Sequence, residues 1–149
     1  MNTLPKTSEK HYLTGSSALN IPTEDGDFSD WHFTETFFKN KAKFKVAGRN
    51  FIDTSNLFGD YGVKECSDTL RRYGLTIEAK VYVANHIRAV LDMIYKNISE
   101  ETLPSHIVLD DIFDDEKPQK ELLKQLEQIK SKITDKVQLT LLNQWEKQQ

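Results

Sequence analysis

The side chains best suited to chemistry in this chain fall in two short runs, Asn20–His32 and Asn85–Asp92. The first strings carboxylates, an imidazole and an indole between turn formers and follows no regular period. Irregular polar segments of this kind are where binding and catalytic groups concentrate. Asp30 beside His32 could orient the imidazole for general base work. The competing reading is a capped helix start with Trp31 as an aromatic anchor, since neighbours this close seldom form such a pair. No serine or cysteine nucleophile has an indicated place beside them.

In the second run, Asn85-His-Ile-Arg88 reads as the start of a helix, where backbone N–H groups attract anions and Arg88 could reinforce them. The plainer reading has Asn85 capping, His86 solvated and Arg88 paired with Asp92 one turn on. Asn20, Trp31, His32, Asn85 and Arg88 are expected to meet in space, because polar groups drawn inward must satisfy one another. Asp60 and Tyr61, in the turn Gly59-Asp-Tyr-Gly62, are further candidate binding groups, although the turn lacks the lysine or serine of a phosphate cradle. A metal site would need several ligands, for instance Asp30, His32 and His86. No paired histidine or cysteine spacing supports it, so neither metal nor cofactor is expected. Cys66 is expected to pack rather than react. The acidic run Asp110–Glu116 lacks the order of a calcium loop and suits a solvated cap or a basic partner.

Several elements must position these groups. Residues 1–10 read as a loose tail. Ser29 or Asp30 would cap a helix over Trp31–Asn40, with Trp31, Thr34, Phe37 and Phe38 on one face. Alternation over Lys41–Val46, a turn at Gly48-Arg-Asn50 and the run Phe51–Thr54 predict a hairpin. Val63–Tyr73 reads as a helix with Val63, Cys66, Leu70 and Tyr73 inward, ended by Gly74. Leu75–Val83, apolar at every second position, is the clearest strand pattern. Asn85 caps a helix running to about Asn97, with Ile87, Val90, Leu91, Ile94 and Tyr95 on its apolar face. Ser105–Phe113 is expected to be a short helix, ended by the acidic run Asp110–Glu116.

From Pro118 the composition turns to Lys, Gln, Glu and Leu, with a stripe of Leu122, Leu126, Ile129, Ile133, Val137, Leu141 and Trp145. That predicts either one helix of about 28 residues, near 42 Å long, or two helices broken near Thr134. A single long helix would overhang the body and present Leu126, Ile133, Val137 and Trp145 to a partner or a second copy of the chain. Trp145 is expected to dock, on this chain or on another.

The 149 residues are 38% hydrophobic and 29% charged, which fits a single globular domain, and the mix of strand and helix patterns makes it α+β. The expected units are an α+β core over 11–116, with a small antiparallel sheet from 42–54 and 75–83, and a helical region over 117–149. A net charge of −3 and a pI near 5.8 give no basic field, so nucleic acid is not the expected partner. No apolar run approaches the roughly 20 residues of a membrane span, and the start of the chain lacks an apolar signal core. The single cysteine cannot form an internal disulfide. A cytoplasmic protein is expected.

Four motifs carry a resemblance: Leu13-Thr-Gly-x-x-Ala-Leu-Asn-x-Pro22, Asp30-Trp-His32, Phe58-Gly-Asp-Tyr-Gly62 and Val83-Ala-Asn-His-Ile-Arg-Ala-Val-Leu-Asp92. Together, over residues 11–95, they resemble a family of short bacterial proteins of the toxin–antitoxin or defence gene-pair type. The stretch Arg88–Asp92 is similar to a helix of abortive-infection antitoxins. The resemblance implies a protein partner, such as a cognate toxin, and transfers no catalytic residue. The expected function is therefore an antitoxin-like or regulatory module acting by contact. The alternative is a small enzyme or toxin acting on a nucleotide or RNA through Asp30, His32, Asn85, His86 and Arg88. A DNA-binding regulator is disfavoured, because Lys39–Arg49 is the only basic cluster.

Overall fold

The computed structural model describes residues 4–23, 26, 29, 32–39 and 43–149. In chain order the elements are helices α1 (Gly15–Leu19), α2 (Phe33–Phe37) and α3 (Ser55–Phe58), strand β1 (Val63–Glu65), helix α4 (Ser67–Arg72) and strand β2 (Tyr82–Ala84). Helices α5 (His86–Ser99), α6 (Leu109–Ile112) and α7 (Glu116–Ile129) follow, then a 3-10 turn at Lys130–Lys132 and helix α8 (Lys136–Lys147). The architecture is α+β, with helices filling the C-terminal third.

Helix α5 is the centre of the molecule and packs against α1, α7 and α8. Asn85 caps it as expected, its side chain accepting the Arg88 N–H at 2.8 Å. Gly62 makes room for that cap. It sits at φ +73°, and a Cβ there would lie 2.5 Å from Asn85 Oδ1, while its carbonyl accepts the Asn85 N–H at 2.7 Å. Asn85→Ala should therefore cost about 1 kcal/mol in urea unfolding. An unchanged midpoint would show that the first turn holds without its cap.

The sheet differs from the expected one. Strand β1 pairs antiparallel with β2, Val63 opposite Ala84 and Glu65 opposite Tyr82. Leu13 bridges β2 on its other side and Val46 beyond, so one residue stitches the first segment into the sheet. The predicted hairpin over 41–54 reduces, where described, to a single bridge between Ala47 and Phe51. Asn50 is the reason: its side chain accepts the Val46 N–H and donates to the Phe44 carbonyl, both at 2.7 Å, taking groups a strand ladder needs. Lys41 and Ala42 lie outside the described residues.

The helix predicted over Val63–Tyr73 begins four residues late. Val63 to Glu65 are drawn into β1, and Glu65 accepts the Ser67 N–H at 2.9 Å and the Ser67 hydroxyl, which starts α4 there. Its end is as expected: Gly74 at φ +97° donates to the Arg71 carbonyl while Leu75 N–H reaches Leu70. Of the Leu75–Val83 run only Tyr82 and Val83 lie in a strand, which continues to Ala84. Helix α2 is shorter than predicted and buries Phe33, Thr36 and Phe37, with Thr34 exposed. The Phe33 and Phe37 rings stack at 4.8 Å. Within Ser105–Phe113 only α6 is helical.

The C-terminal stripe resolves into two helices. Asp135 caps α8 by accepting the Gln138 N–H at 3.0 Å, so the break falls at 133–135. The break shifts the register: Leu142 and Trp145 turn inward, while Val137 is 51% exposed. Leu126, Ile133 and Trp145 are buried in this chain's own core, so of the four residues expected to face a partner only Val137 stands at the surface. Trp145 donates its Nε1–H to the Ile107 carbonyl at 2.9 Å. Residues 4–8 have no helix or strand but are not loose: Thr7 Oγ1 accepts the Tyr82 N–H at 2.9 Å, and Arg49 donates to the Lys6 carbonyl. No helix among the described residues is long and apolar enough to cross a membrane.

Candidate functional site

Arg88 and Asp92 form the predicted pair, but both side chains are 0% exposed. Arg88 Nε donates to Asp92 Oδ1 at 3.0 Å. A lone pair of charges in an apolar core would be costly unless every remaining lone pair and proton found a partner. Here they do. Asp92 also accepts the hydroxyls of Thr54 at 2.5 Å, Thr14 at 2.7 Å and Tyr12 at 2.8 Å. Arg88 Nη1 donates to the Gly59 and Tyr61 carbonyls at 3.0 and 2.8 Å, and Nη2 to Thr54 Oγ1 at 3.0 Å. The guanidinium lies between the rings of Tyr12 and Phe58, each centroid 5.3 Å away. Burial, then the Asp92 charge, pushes the Tyr12 phenol well above its ordinary pKa. Among the described residues no buried polar side-chain atom lacks a partner. Arg88 is thus a structural cation, out of a substrate's reach, and this corrects its place in the candidate site.

His86, expected to be solvated, is half-buried and held at both ring nitrogens. Nε2 lies 2.7 Å from the Ile21 carbonyl, and Nδ1 lies 2.7 Å from Ser29 Oγ. A carbonyl oxygen only accepts, so Nε2 carries the proton. In the neutral ring Nδ1 is then an acceptor for the Ser29 hydroxyl. His86 lines two cavities of about 260 and 560 Å³, both also lined by Thr23, Lys64 and Asn85.

The two polar runs therefore touch, through Ile21 and Ser29 on one side and His86 on the other, while Arg88 turns into the core. Asn20 is buried, accepts the His32 N–H at 2.8 Å and donates to the Ser16 carbonyl. The His32 side chain is exposed. Asp30 and Trp31 lie outside the described residues, and the Asp30–His32 pairing with them. Asp60 is exposed. Tyr61 donates to Glu121 at 3.2 Å, and its phenol is pushed up to about 12 by burial and the Glu121 charge. Cys66 is half-buried. Among the described residues no cluster of His, Cys, Asp and Glu has the makings of a metal site.

Four groups escaped the sequence reading: Tyr12, Thr14 and Thr54 around Asp92, and Ser29 against His86. Each meets its partner across 38 to 80 residues, and no local spacing marks that. No family model, curated protein or solved structure matches this chain.

Proposed function

We propose that the chain is a regulatory protein-binding module of the antitoxin type, holding a partner protein in the cytoplasm by direct contact. The observation that carries this reading is the surface of residues 75–82. This run is patterned as a strand, yet it pairs only at its end. The carbonyls of Ile77 and Val81 are engaged by Arg71 and the Cys66 N–H, and Ser67 Oγ accepts the Val81 N–H. Thr76 and Glu78 face outward, and among the described residues their backbone N–H and C=O groups have no partner. Beside them runs a groove of about 650 Å³, walled by Leu4, Pro5, Leu75, Ile77 and Tyr82.

An unpaired extended edge beside apolar pockets is what an incoming strand needs: main-chain hydrogen bonds supply affinity and the pockets select side chains. The acidic balance favours a polypeptide partner over nucleic acid. The test is co-purification with the product of the adjacent gene. Glu78→Pro removes one N–H and spoils the edge at an exposed position. It should weaken binding at least about tenfold, equivalent to 1.4 kcal/mol, at an unchanged melting temperature. Wild-type affinity in that variant, or no binding by the native chain, would defeat the reading.

A further inference from the structure

We infer that Ser29 and His86 form a nucleophile–base pair able to hydrolyse small carboxylic esters, an activity beyond the binding role. A serine hydroxyl attacks a carbonyl only when a positioned base removes its proton, and that base must itself be oriented by a third group. All three parts are present. Ser29 Oγ lies 2.7 Å from His86 Nδ1, and the Ile21 carbonyl at 2.7 Å holds the opposite nitrogen protonated, which leaves Nδ1 free of its own proton. The sequence places these groups 57 and 65 residues apart, so the fold alone assembles them.

The pair opens on the 560 Å³ cavity, whose other walls include Lys64, Ile87, Ile112, Phe113, Asp114 and Asp115. The three apolar side chains suit the hydrocarbon part of a small ester. The first turn of α5 lines the same cavity with its positive end, which suits a developing oxyanion, while the Lys64 cation stands there with the Asp114 and Asp115 carboxylates. In the first step Ser29 Oγ bonds to the ester carbonyl carbon as its proton passes to Nδ1. The tetrahedral centre collapses, the C–O bond to the alcohol breaks, and the alcohol leaves with that proton. Water then attacks the acyl-serine, gives a proton to Nδ1, and the acid departs as Ser29 takes the proton back.

The full chain treated with a fluorophosphonate should gain one phosphonyl group on Ser29 as the reagent's P–F bond breaks and fluoride leaves, the site located by peptide mass spectrometry. It should also release p-nitrophenol from p-nitrophenyl acetate. Ser29→Ala should abolish both reactions. His86→Gln should slow labelling about 100-fold or more, the scale of general base catalysis. Because His86→Gln also disturbs the Ile21 contact, Ser29→Cys supplies a second reading. With the imidazole beside it, the new thiol should react with iodoacetamide faster than Cys66 in the same chain. Absence of an adduct on Ser29, labelling indifferent to His86→Gln, or a new thiol no more reactive than Cys66 would overturn the proposal.

Discussion

Arg88→Ala should leave the chain barely folded. The substitution strands the Asp92 carboxylate in a core where it is 0% exposed, and breaking a buried pair by removing one partner costs about 3–5 kcal/mol. Two carbonyls, of Gly59 and Tyr61, lose their donor at the same time. Domains of this size are stable by only about 5–15 kcal/mol in total, so the expected loss is a large fraction of the whole. Asp92→Asn should fall in the same range, because it keeps the shape and leaves the guanidinium uncompensated. Removing both charges together, Arg88→Met with Asp92→Leu, should recover part of the loss, since the charges then no longer need each other. Urea unfolding of the four proteins tests this. Single variants within about 1 kcal/mol of the native chain would mean that water reaches the pair.

Trp145→Ala carries the second large effect. The indole is fully buried near the end of the chain, and truncating a buried Trp to Ala costs about 3–5 kcal/mol. Trp145→Phe separates the contributions: it keeps most of the packing but leaves the Ile107 carbonyl without its 2.9 Å donor, at about 1–3 kcal/mol. Val137→Ala, on the same helix but at an exposed position, should change stability by less than about 0.5 kcal/mol. Similar midpoints for Trp145→Ala and Val137→Ala would show that α8 does not contribute to the core.

These two cases also mark what the sequence makes legible. Helix α5 announces its start by Asn85 and its face by Val90, Leu91 and Ile94, all local signals at fixed spacing. The C-terminal stripe likewise announces helices and a break near Thr134. The interruption itself hides which residues point inward beyond it, so the stripe names Leu141 where Leu142 is buried. The small sheet is harder to read, because β1 and β2 are three residues each and Leu13 joins them from some 70 residues away. Alternation in 41–46 and 75–83 reports only that one face is half-buried. Whether such a run finds a ladder depends on competitors such as the Asn50 side chain, which pattern does not weigh. For the candidate site, Arg88 and Asp92 look from sequence like any solvated pair one helical turn apart. Their burial follows from hydroxyls that arrive from elsewhere in the chain.

That arrival has a temporal side. Asp92 receives Tyr12 and Thr14 across 80 and 78 residues, and Thr54 across 38. Loop closure over such spans must precede any return from the contacts they bring, so the polar cluster belongs to the last stages of folding rather than its nucleus. During synthesis the residues around Tyr12 leave the ribosome long before the carboxylate that they will bind. Until α5 follows, the first half of the chain lacks the centre of its own interior, and its apolar segments have little to pack against. Completion of the cluster then joins both halves in one step, and the molecule gains or loses its native state as a single cooperative unit.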